Sequence, residues 1–310
     1  MPLPKRHTDP HLPGGHPMRA VASLLLGLAL AGCAKVPATH APAMAVRDGH
    51  CAVPEGWADV AARDPDFVVF GEWHGTREAP AFVGSLACGL ARQGQRLLIA
   101  IEFSPEHDAA LQRAWTADEE KFESLLLDAG WRGRADGVGS EAMYAMLRDL
   151  HRLRLEGHAI AVTAFNGAGG DEQRARFAHL PSQGPHEAAQ AENIAQAARA
   201  GSYDRVLVLV GELHARKQPV ILGNGKFDPM ARRLREYGAV LSLDMRYDDG
   251  STWNCQKECK VHPTKGNASF GRERFIALGG DEEDGRESNF DGFYWVGPVS
   301  ASPPKAPDHD

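Results

Sequence analysis

Five short runs of apolar residues lie along this chain, separated by longer segments in which apolar residues recur at helical spacing. These runs lie within the predicted strands at residues 67–70, 97–101, 158–166, 204–210 and 239–245. A strand that is apolar on both faces is typical of the interior of a parallel sheet. Helices are predicted at 77–94, from 104, at 141–156 and 186–200, and from 228. The alternation predicts an α/β protein, with a mostly parallel central sheet flanked by helices.

The remaining segments have a different character. Residues 117–139 are polar and are predicted to form a partly helical lid, while 167–185 are predicted to be a Gly-rich loop with a short helix. Beyond Tyr247, Gly, Asp and Asn are interspersed with short apolar runs, which predicts an irregular or antiparallel C-terminal edge of the sheet. The Pro-rich tail, residues 302–310, is predicted to be disordered.

One four-residue pattern occurs twice, each time directly after an apolar run. Gly71-Glu72-Trp73-His74 follows the first run, and Gly211-Glu212-Leu213-His214 follows the fourth. Parallel strands deliver their carboxyl ends to one edge of a sheet, where α/β proteins bind ligands. Residues two apart in extended backbone point the same way, so each Glu is expected to share a pocket with its His. We therefore predict a functional cluster of Glu72, His74, Glu212 and His214.

Several further residues are candidates for the same pocket. Glu102 also follows a strand, and we expect it to assist; the alternative is an ordinary strand-end carboxylate. Arg77, Glu78 and Arg216 are candidate binding residues close to the two motifs. The alternatives are a first-turn Glu favoured by the helix dipole for Glu78, and a solvated surface for the basic trio that contains Arg216.

The donor set of this cluster suits two kinds of chemistry. Two imidazoles and two carboxylates, from His74, His214, Glu72 and Glu212, suit a divalent first-row metal such as Zn, Mn or Fe. The same groups suit metal-free hydrolysis, in which a His oriented by a Glu acts as a general base toward water. A Gly-x-Ser-x-Gly elbow and a His-Glu-x-x-His motif are both absent from the sequence.

The N-terminal segment has the features of an export signal. Residues 1–32 include an uncharged apolar run after Arg19 that is too short to span a bilayer, and Met18 is a better start for this signal than Met1. The run ends in Leu-Ala-Gly-Cys33, which resembles the lipobox of bacterial lipoproteins; the alternative is an ordinary signal peptide with a chance Cys. The resemblance implies a lipid anchor on Cys33 in the bacterial cell envelope. Ala34 after the Cys favours the outer membrane, with the protein facing the periplasm.

Residues 33–50 then form a lipidated Cys and a flexible tether, because the stretch is rich in Pro and Ala. A single domain is predicted at 51–301. The net charge is −7, and residues 1–32 carry more basic than acidic side chains, so the remainder is more acidic still. This balance argues against nucleic-acid binding, and membrane contact is expected through the lipid anchor only.

Four cysteines remain after Cys33, and an even number in an exported protein suggests two disulfides. The preferred pairing is Cys51–Cys88 and Cys255–Cys259, one of three possible connectivities. A zinc site formed by Cys255, Cys259 and His262 is the alternative.

The motifs resemble a known superfamily. Gly71-Glu-Trp-His-Gly-Thr-Arg-Glu78, Ile101-Glu102 and Gly211-Glu-Leu-His214 are similar to motifs of the superfamily that joins ChaN-like haem-binding lipoproteins, erythromycin esterases and TIKI metalloproteases. The resemblance spans residues 65–247 and implies an α/β sheet with its site at the strand ends. It gives His74, His214, Glu72 and Glu212 an active-site role and matches Glu102 to a carboxylate after the next strand.

The members of this superfamily differ in function, and the sequence combines features of several. Residues 75–78 resemble the esterases, although those have two residues between the Glu and the His where this chain has Trp73 alone. The short spacing and the lipobox are more similar to ChaN, which implies haem held by tyrosine. No tyrosine of this chain matches that role; the five are Tyr144, Tyr203, Tyr237, Tyr247 and Tyr294. The TIKI group implies a metal-dependent peptidase.

Two hypotheses follow. The first is a hydrolase of esters or peptides that uses the Glu/His cluster and Glu102, with or without a divalent metal. The second is a haem- or iron-binding lipoprotein that serves uptake and uses the same pocket without catalysis. A pocket that holds only Glu and His favours the first.

Overall fold

The computed structural model describes residues 51–223, 225–279 and 288–306. The predicted export signal, Cys33 and the tether lie outside these residues. The strands are β1 (Phe67–Glu72), β2 (Leu97–Ile101), β3 (Ile160–Ala164), β4 (Arg205–Gly211), β5 (Val220–Leu222), β6 (Gly225–Phe227), β7 (Val240–Asp248), β8 (Gly250–Cys255), β9 (Cys259–Thr264), β10 (Phe275–Leu278) and β11 (Gly292–Pro298).

The helices agree broadly with the predicted segments. They are α1 (Trp57–Ala62), α2 (Glu78–Arg92), α3 (Asp108–Thr116), α4 (Glu119–Asp128), α5 (Glu141–Leu155), α6 (Asp171–Phe177), α7 (Gly184–Ala200), α8 (Glu212–Ala215) and α9 (Met230–Leu234). A 3-10 turn at Pro105–His107 precedes α3. Among the described residues, no helix combines the length and apolar character needed to cross a bilayer.

A seven-stranded sheet in the order β10–β11–β7–β1–β4–β2–β3 forms the centre of the fold. All neighbouring strands are parallel except β10, which pairs antiparallel with β11 at the C-terminal edge. The predicted α/β class and antiparallel edge are therefore confirmed. The structure adds that β11 itself runs parallel to β7.

The central strands are buried on both faces, which explains their unbroken apolar character. Along β1, Val68 and Phe70 point into the core beneath α2 and α5, while Phe67 and Val69 point into the core beneath α7 and α9. This alternation is the period-2 arrangement of side chains on a strand. The parallel pairing of β4 with β1 and with β2 places the carboxyl ends of these three strands side by side. Glu72 lies opposite Gly211 in the register of β1 and β4.

The structure differs from the sequence prediction at the C-terminal tail. Residues 302–306 were predicted to be disordered because they are rich in Pro, but they form backbone hydrogen bonds with two other segments. The amide of Ser302 donates to the carbonyl of Gly75. The amide of Glu141 donates to the carbonyl of Pro303, and the amide of Lys305 donates to the carbonyl of Gly139. The Ser302 hydroxyl also accepts from Ala142 in the first turn of α5. Proline has no backbone N–H, so a Pro-rich segment has few amide donors that need a partner. An extended conformation in which its carbonyls accept hydrogen bonds from neighbouring segments is compatible with its composition. Residues 307–310 lie outside the described residues.

Two disulfides join cysteines in the described part of the chain. Cys51 is joined to Cys88 in α2, and Cys255 to Cys259 across the β8–β9 hairpin. This is the pairing preferred from the sequence. With both sulfurs of the hairpin in a disulfide, the alternative zinc site has no thiolate ligands.

Candidate active site

The first motif places a carboxylate and an imidazole in contact at the end of β1. Glu72 is the last residue of the strand and is buried, and its Oε1 lies 2.9 Å from Nδ1 of His74. Gly75 turns the chain immediately after His74 with a φ of 76°, a conformation that strains residues with a Cβ. The carbonyl of His74 accepts from the Thr252 hydroxyl at 2.7 Å. Because Thr252 lies in β8, the β8–β9 hairpin holds this turn in place.

Glu102, directly after β2, lies between the two motifs. Its Oε2 accepts from the amide of Gly211 at 2.7 Å and lies 3.3 Å from Nε2 of His74. Its Oε1 lies 3.7 Å from Nε2 of His214. One buried carboxylate therefore bridges the histidines of both motifs.

Glu187 in α7 completes the arrangement, and sequence reasoning did not identify it. Nδ1 of His214 lies 2.8 Å and 3.0 Å from the two oxygens of this fully buried carboxylate. The amide of Met230 donates to Oε2 of Glu187 at 2.7 Å, which fixes the carboxylate against the start of α9.

Together these residues form an alternating series, Glu72–His74–Glu102–His214–Glu187, which we call the carboxylate–imidazole chain. Each imidazole has a carboxylate at both ring nitrogens. The imidazole side chains retain access to solvent, 31% exposed for His74 and 20% for His214, while the three carboxylates are buried. The histidines are therefore the members of the chain that a ligand can reach.

Glu212 does not join this chain, contrary to the expectation from the repeated motif. Its Oε1 accepts from Nε and Nη2 of Arg216 at 2.9 Å and 2.6 Å. The reason is local backbone structure, since residues 212–215 form one helical turn, α8, rather than extended backbone. Residues two apart on a helix point in divergent directions, so Glu212 and His214 separate. Glu187 occupies the place beside His214 that we predicted for Glu212.

The other predicted binding residues lie elsewhere or are paired within the protein. Glu78 is buried and accepts from the amide and hydroxyl of Ser300. Arg77 donates from Nε to the carbonyl of Ala301 and faces Glu141 at 4.0 Å. Both residues line a groove between α2 and α5, while Arg216 is paired with Glu212.

The predicted lid contributes to the rim of the site. Residues 119–128 are helical, and a Cβ on Gly137 would lie 2.9 Å from the carbonyl carbon of His74. Burial raises the pKa of Asp136, but the hydrogen bond and charge of Arg134 outweigh burial and lower the pKa. The charge of His74 makes a smaller contribution in the same direction as Arg134. Segment 133–139 therefore packs directly on the first motif. Trp73, which is 42% exposed, adds an aromatic surface beside it.

The surroundings of the carboxylate–imidazole chain raise the pKa values of both histidines and lower the pKa of Glu102. Burial lowers the pKa of His74, but attraction to and hydrogen bonds with Glu102 and Glu72 outweigh burial and raise the pKa well above 6.5. The pKa of His214 is raised in the same way, by Glu187 and Glu102 against burial. Burial raises the pKa of Glu102, but the two imidazoles and the Gly211 amide outweigh it and lower the pKa to about 2.

The four residues predicted to hold a metal are each paired with another side chain of the protein. The Nε2 atoms of His74 and His214 both face the carboxylate of Glu102, and Glu212 faces Arg216. Among residues 51–223, 225–279 and 288–306, no group of three or more His, Cys, Asp or Glu side chains is arranged to hold a metal ion. The predicted metal set is not assembled here, and metal binding stays a prediction.

The tyrosine nearest to the first motif is committed to the core. The hydroxyl of Tyr294 donates to the carbonyl of Gly71 at 2.9 Å, and the ring is fully buried. Burial, with smaller effects of Glu72 and Asp244, raises its pKa well above 10. Tyr294 therefore does not offer a phenolate to a ligand in this conformation.

Gly211→Ala is expected to displace His74 without straining the backbone. A Cβ at this position would lie 2.7 Å from Nε2 of His74, while the φ of −54° is accessible to alanine. Displacement by about 1 Å at a reacting group lowers activity by roughly a hundredfold. Kinetics of ester hydrolysis would test this, with Gly169→Ala as the control because the nearest atom to a Cβ there is 3.6 Å away. Equal activity of the two variants would contradict the placement of His74.

The stability of the protein is expected to be highest between about pH 4.5 and 6.5, the usual pKa values of Glu and His. The raised pKa values of His74 and His214 stabilise the fold fully below pH 6.5, and this contribution is lost as the pH rises through the raised values. The lowered pKa of Glu102 stabilises the fold above pH 4.5, and this contribution is lost as the pH falls toward 2. Urea unfolding across pH would measure the effect.

The matched comparison is His74→Gln against His179→Gln, since His179 is exposed on the loop after α6. The alkaline decline in the free energy of unfolding should be smaller in His74→Gln and unchanged in His179→Gln. A wild-type protein that gains stability from pH 6.5 to 9 would contradict the electrostatic account.

Comparisons with known proteins support the fold class of this chain. No family model and no curated protein sequence matches it. Solved structures do match. A succinoglycan biosynthesis protein is 11% identical, with a TM-score of 0.56 over 81% of this chain and 92% of that one. An erythromycin esterase mutant in its open conformation is 10% identical, with a TM-score of 0.52 over 80% of this chain and 94% of that one.

A third match is the haem-binding ChaN protein of Campylobacter jejuni. It is 12% identical, with a TM-score of 0.36 over 61% of this chain and 84% of that one. The resemblance to erythromycin esterases found in the sequence is confirmed at the level of the fold by the esterase match. At these identities the likeness shows the fold alone, so function must be argued from the site.

Proposed function

We propose that this protein is a hydrolase of carboxylic esters that works through the carboxylate–imidazole chain. The observation that carries the proposal is the position of Glu102, which bridges Nε2 of His74 and Nε2 of His214 at the carboxyl edge of the sheet. A buried carboxylate between two solvent-accessible imidazoles suits acid–base chemistry. The fold of an erythromycin esterase is compatible with this reaction class.

The reaction needs one base and one acid, and two coupled histidines supply both. A neutral imidazole takes a proton from water as the water oxygen attacks the acyl carbon. The second, protonated imidazole gives a proton to the leaving alcohol oxygen as the carbon–oxygen ester bond breaks. The products are a carboxylic acid and an alcohol, and the pair exchanges its protons with solvent before the next turnover.

The three carboxylates orient the two imidazoles and raise their pKa values. Glu72 and Glu187 hold the Nδ1 atoms, which fixes the orientation of each ring and favours its protonated form. Repulsion between the histidines acts in the opposite direction, because the charge of His74 lowers the pKa of His214. The first proton therefore leaves the doubly protonated pair more easily than the second proton leaves the singly protonated pair. The two histidines titrate as a unit.

The proposal is tested by the hydrolysis of chromogenic acetate and butyrate esters and of a macrolactone by the purified protein. Assays with a chelator and with added Zn²⁺ or Mn²⁺ decide whether a metal contributes. We expect turnover that is lost in His74→Gln while the circular dichroism spectrum is retained. Hydrolysis at the same rate in wild type and His74→Gln would overturn the proposal.

Haem binding is the competing function, and titration of the same sample with haemin separates the two. Stoichiometric binding that is lost in His74→Gln, in a protein without ester hydrolysis, would replace the hydrolase by a haem carrier. The buried Tyr294 and the pairing of both histidines with carboxylates favour hydrolysis.

We also propose that the protein acts at the bacterial cell envelope, anchored by a lipid on Cys33. This proposal rests on the lipobox-like residues 30–33. Mass spectrometry of the native N-terminus tests it: an acylated Cys33 supports it, and an unmodified Met1 contradicts it.

A further inference from the structure

A cavity lies away from the carboxylate–imidazole chain, in the groove between α2 and α5. Its volume is about 530 Å³, within the range of small-molecule pockets. The two helices approach closely beneath it, where a Cβ on Gly84 would lie 3.0 Å from Cγ of Met146. We call this cavity the α2–α5 groove.

The floor of the groove is apolar and its rim is basic. Buried apolar surface comes from Pro80, Gly84, Met146 and Leu150. Six basic side chains line the groove against four acidic ones, in a protein whose net charge is −7. The basic residues are Arg77, Arg92, Arg148, Arg152, Arg274 and Lys305, and the acidic residues are Glu78, Glu141, Asp149 and Glu156.

Some of these charges are already paired. Arg148 and Arg152 share Asp149 at 3.1 Å and 3.7 Å, and Arg77 lies 4.0 Å from Glu141. The Glu78 carboxylate accepts from the amide and hydroxyl of Ser300. Within the described residues, Arg92, Arg274 and Lys305 form no ion pair with a carboxylate.

Arg274 differs in burial from Arg92 and Lys305, which are exposed. It is half-buried, and within the described residues its guanidinium makes no hydrogen bond or ion pair. Burial lowers its pKa against the attraction of Glu78 and Glu273. Lys305 adds a second charge and lies over the ring of Tyr144 at 5.0 Å from its centroid. A partly desolvated guanidinium is stabilised by an anion with which it can form two parallel hydrogen bonds.

We propose that the α2–α5 groove binds an alkyl carboxylate, with the carboxylate against Arg274 and Lys305 and the alkyl chain along Pro80, Gly84, Met146 and Leu150. The charge of the rim matches the head group and the apolar floor matches the chain. The site is separate from the proposed hydrolytic centre and does not depend on it.

The proposal is tested by calorimetric titration of the full chain carrying Cys33→Ser with sodium decanoate, and with decanol as the uncharged probe. We expect saturable binding of one decanoate, with decanol bound at least about tenfold more weakly. Arg274→Gln should weaken decanoate binding about tenfold, and Ala145→Phe should abolish it by filling the groove.

The matched control is Arg113→Gln, since Arg113 is an exposed arginine of α3 outside the groove lining. If Arg274→Gln fails to fold because buried Glu78 loses a nearby positive charge, Lys305→Gln and Ala145→Phe decide. Equal affinity for decanol and decanoate, or decanoate binding unchanged in Ala145→Phe, would overturn the proposal.

Discussion

Glu102→Gln is expected to lower kcat/KM for ester hydrolysis by about a thousandfold, within the range observed for acid–base groups. The substitution keeps the shape of the side chain but removes the negative charge that faces both Nε2 atoms. Without that charge the pKa values of His74 and His214 fall, since attraction to Glu102 raises both. The Gln side chain keeps only one acceptor oxygen, so its NH2 group replaces an acceptor either at His214 or at the position shared by His74 and the Gly211 amide.

Glu212→Gln is the matched control, because Glu212 belongs to the same repeated motif but pairs with Arg216. We expect its kcat/KM to stay within about threefold of wild type, as is usual when a partly exposed ion pair is removed. An equal loss of activity in Glu212→Gln and Glu102→Gln would contradict the assignment of residues to the carboxylate–imidazole chain. Retained activity in Glu102→Gln would contradict it as well.

His74→Gln and His214→Gln are each expected to lower kcat by about a hundred- to ten-thousandfold. Each substitution removes one of the two groups that exchange protons with the substrate. The double variant should be little worse than either single variant, because residues that act as a unit are not additive. His186→Gln is the control, since its ring lies 5.9 Å from that of His214 but bonds Gln190 in α7.

Single-turnover kinetics on folded variants would measure these effects. Multiplicative losses in the double variant would show that the two histidines act independently. That result would contradict a shared acid–base pair even if both residues contribute to turnover.

The sequence predicted the fold well because the strands are buried on both faces. The run Phe67–Phe70 has no polar position, and its side chains divide between two cores. The motifs then placed His74, His214 and Glu102 at neighbouring strand ends, since β1, β4 and β2 are adjacent and parallel. The order of the strands, which makes these three residues neighbours, came from the structure and was not predicted from the sequence.

Glu187 and Glu212 could not be assigned correctly by the same reasoning. The prediction for Glu212 assumed extended backbone after β4, and one turn of helix redirects its side chain toward Arg216. Glu187 lies in the first turn of α7, distant in sequence from His214. It does carry a signal, because it falls on the same helical stripe as Ala191 and Ile194, which are buried. A carboxylate on an apolar stripe is costly unless it is paired, so it marks a candidate site.

The pH dependence of kcat/KM for ester hydrolysis tests the central claim most directly, namely that two coupled imidazoles with raised pKa values carry the reaction. The predicted profile is bell-shaped, because turnover needs one protonated and one neutral imidazole. The rate falls at low pH as both become protonated, and the lower apparent pKa lies above 6.5, the usual value for His. A rate that is maximal below pH 6, or that is independent of pH from 5 to 9, would contradict the account.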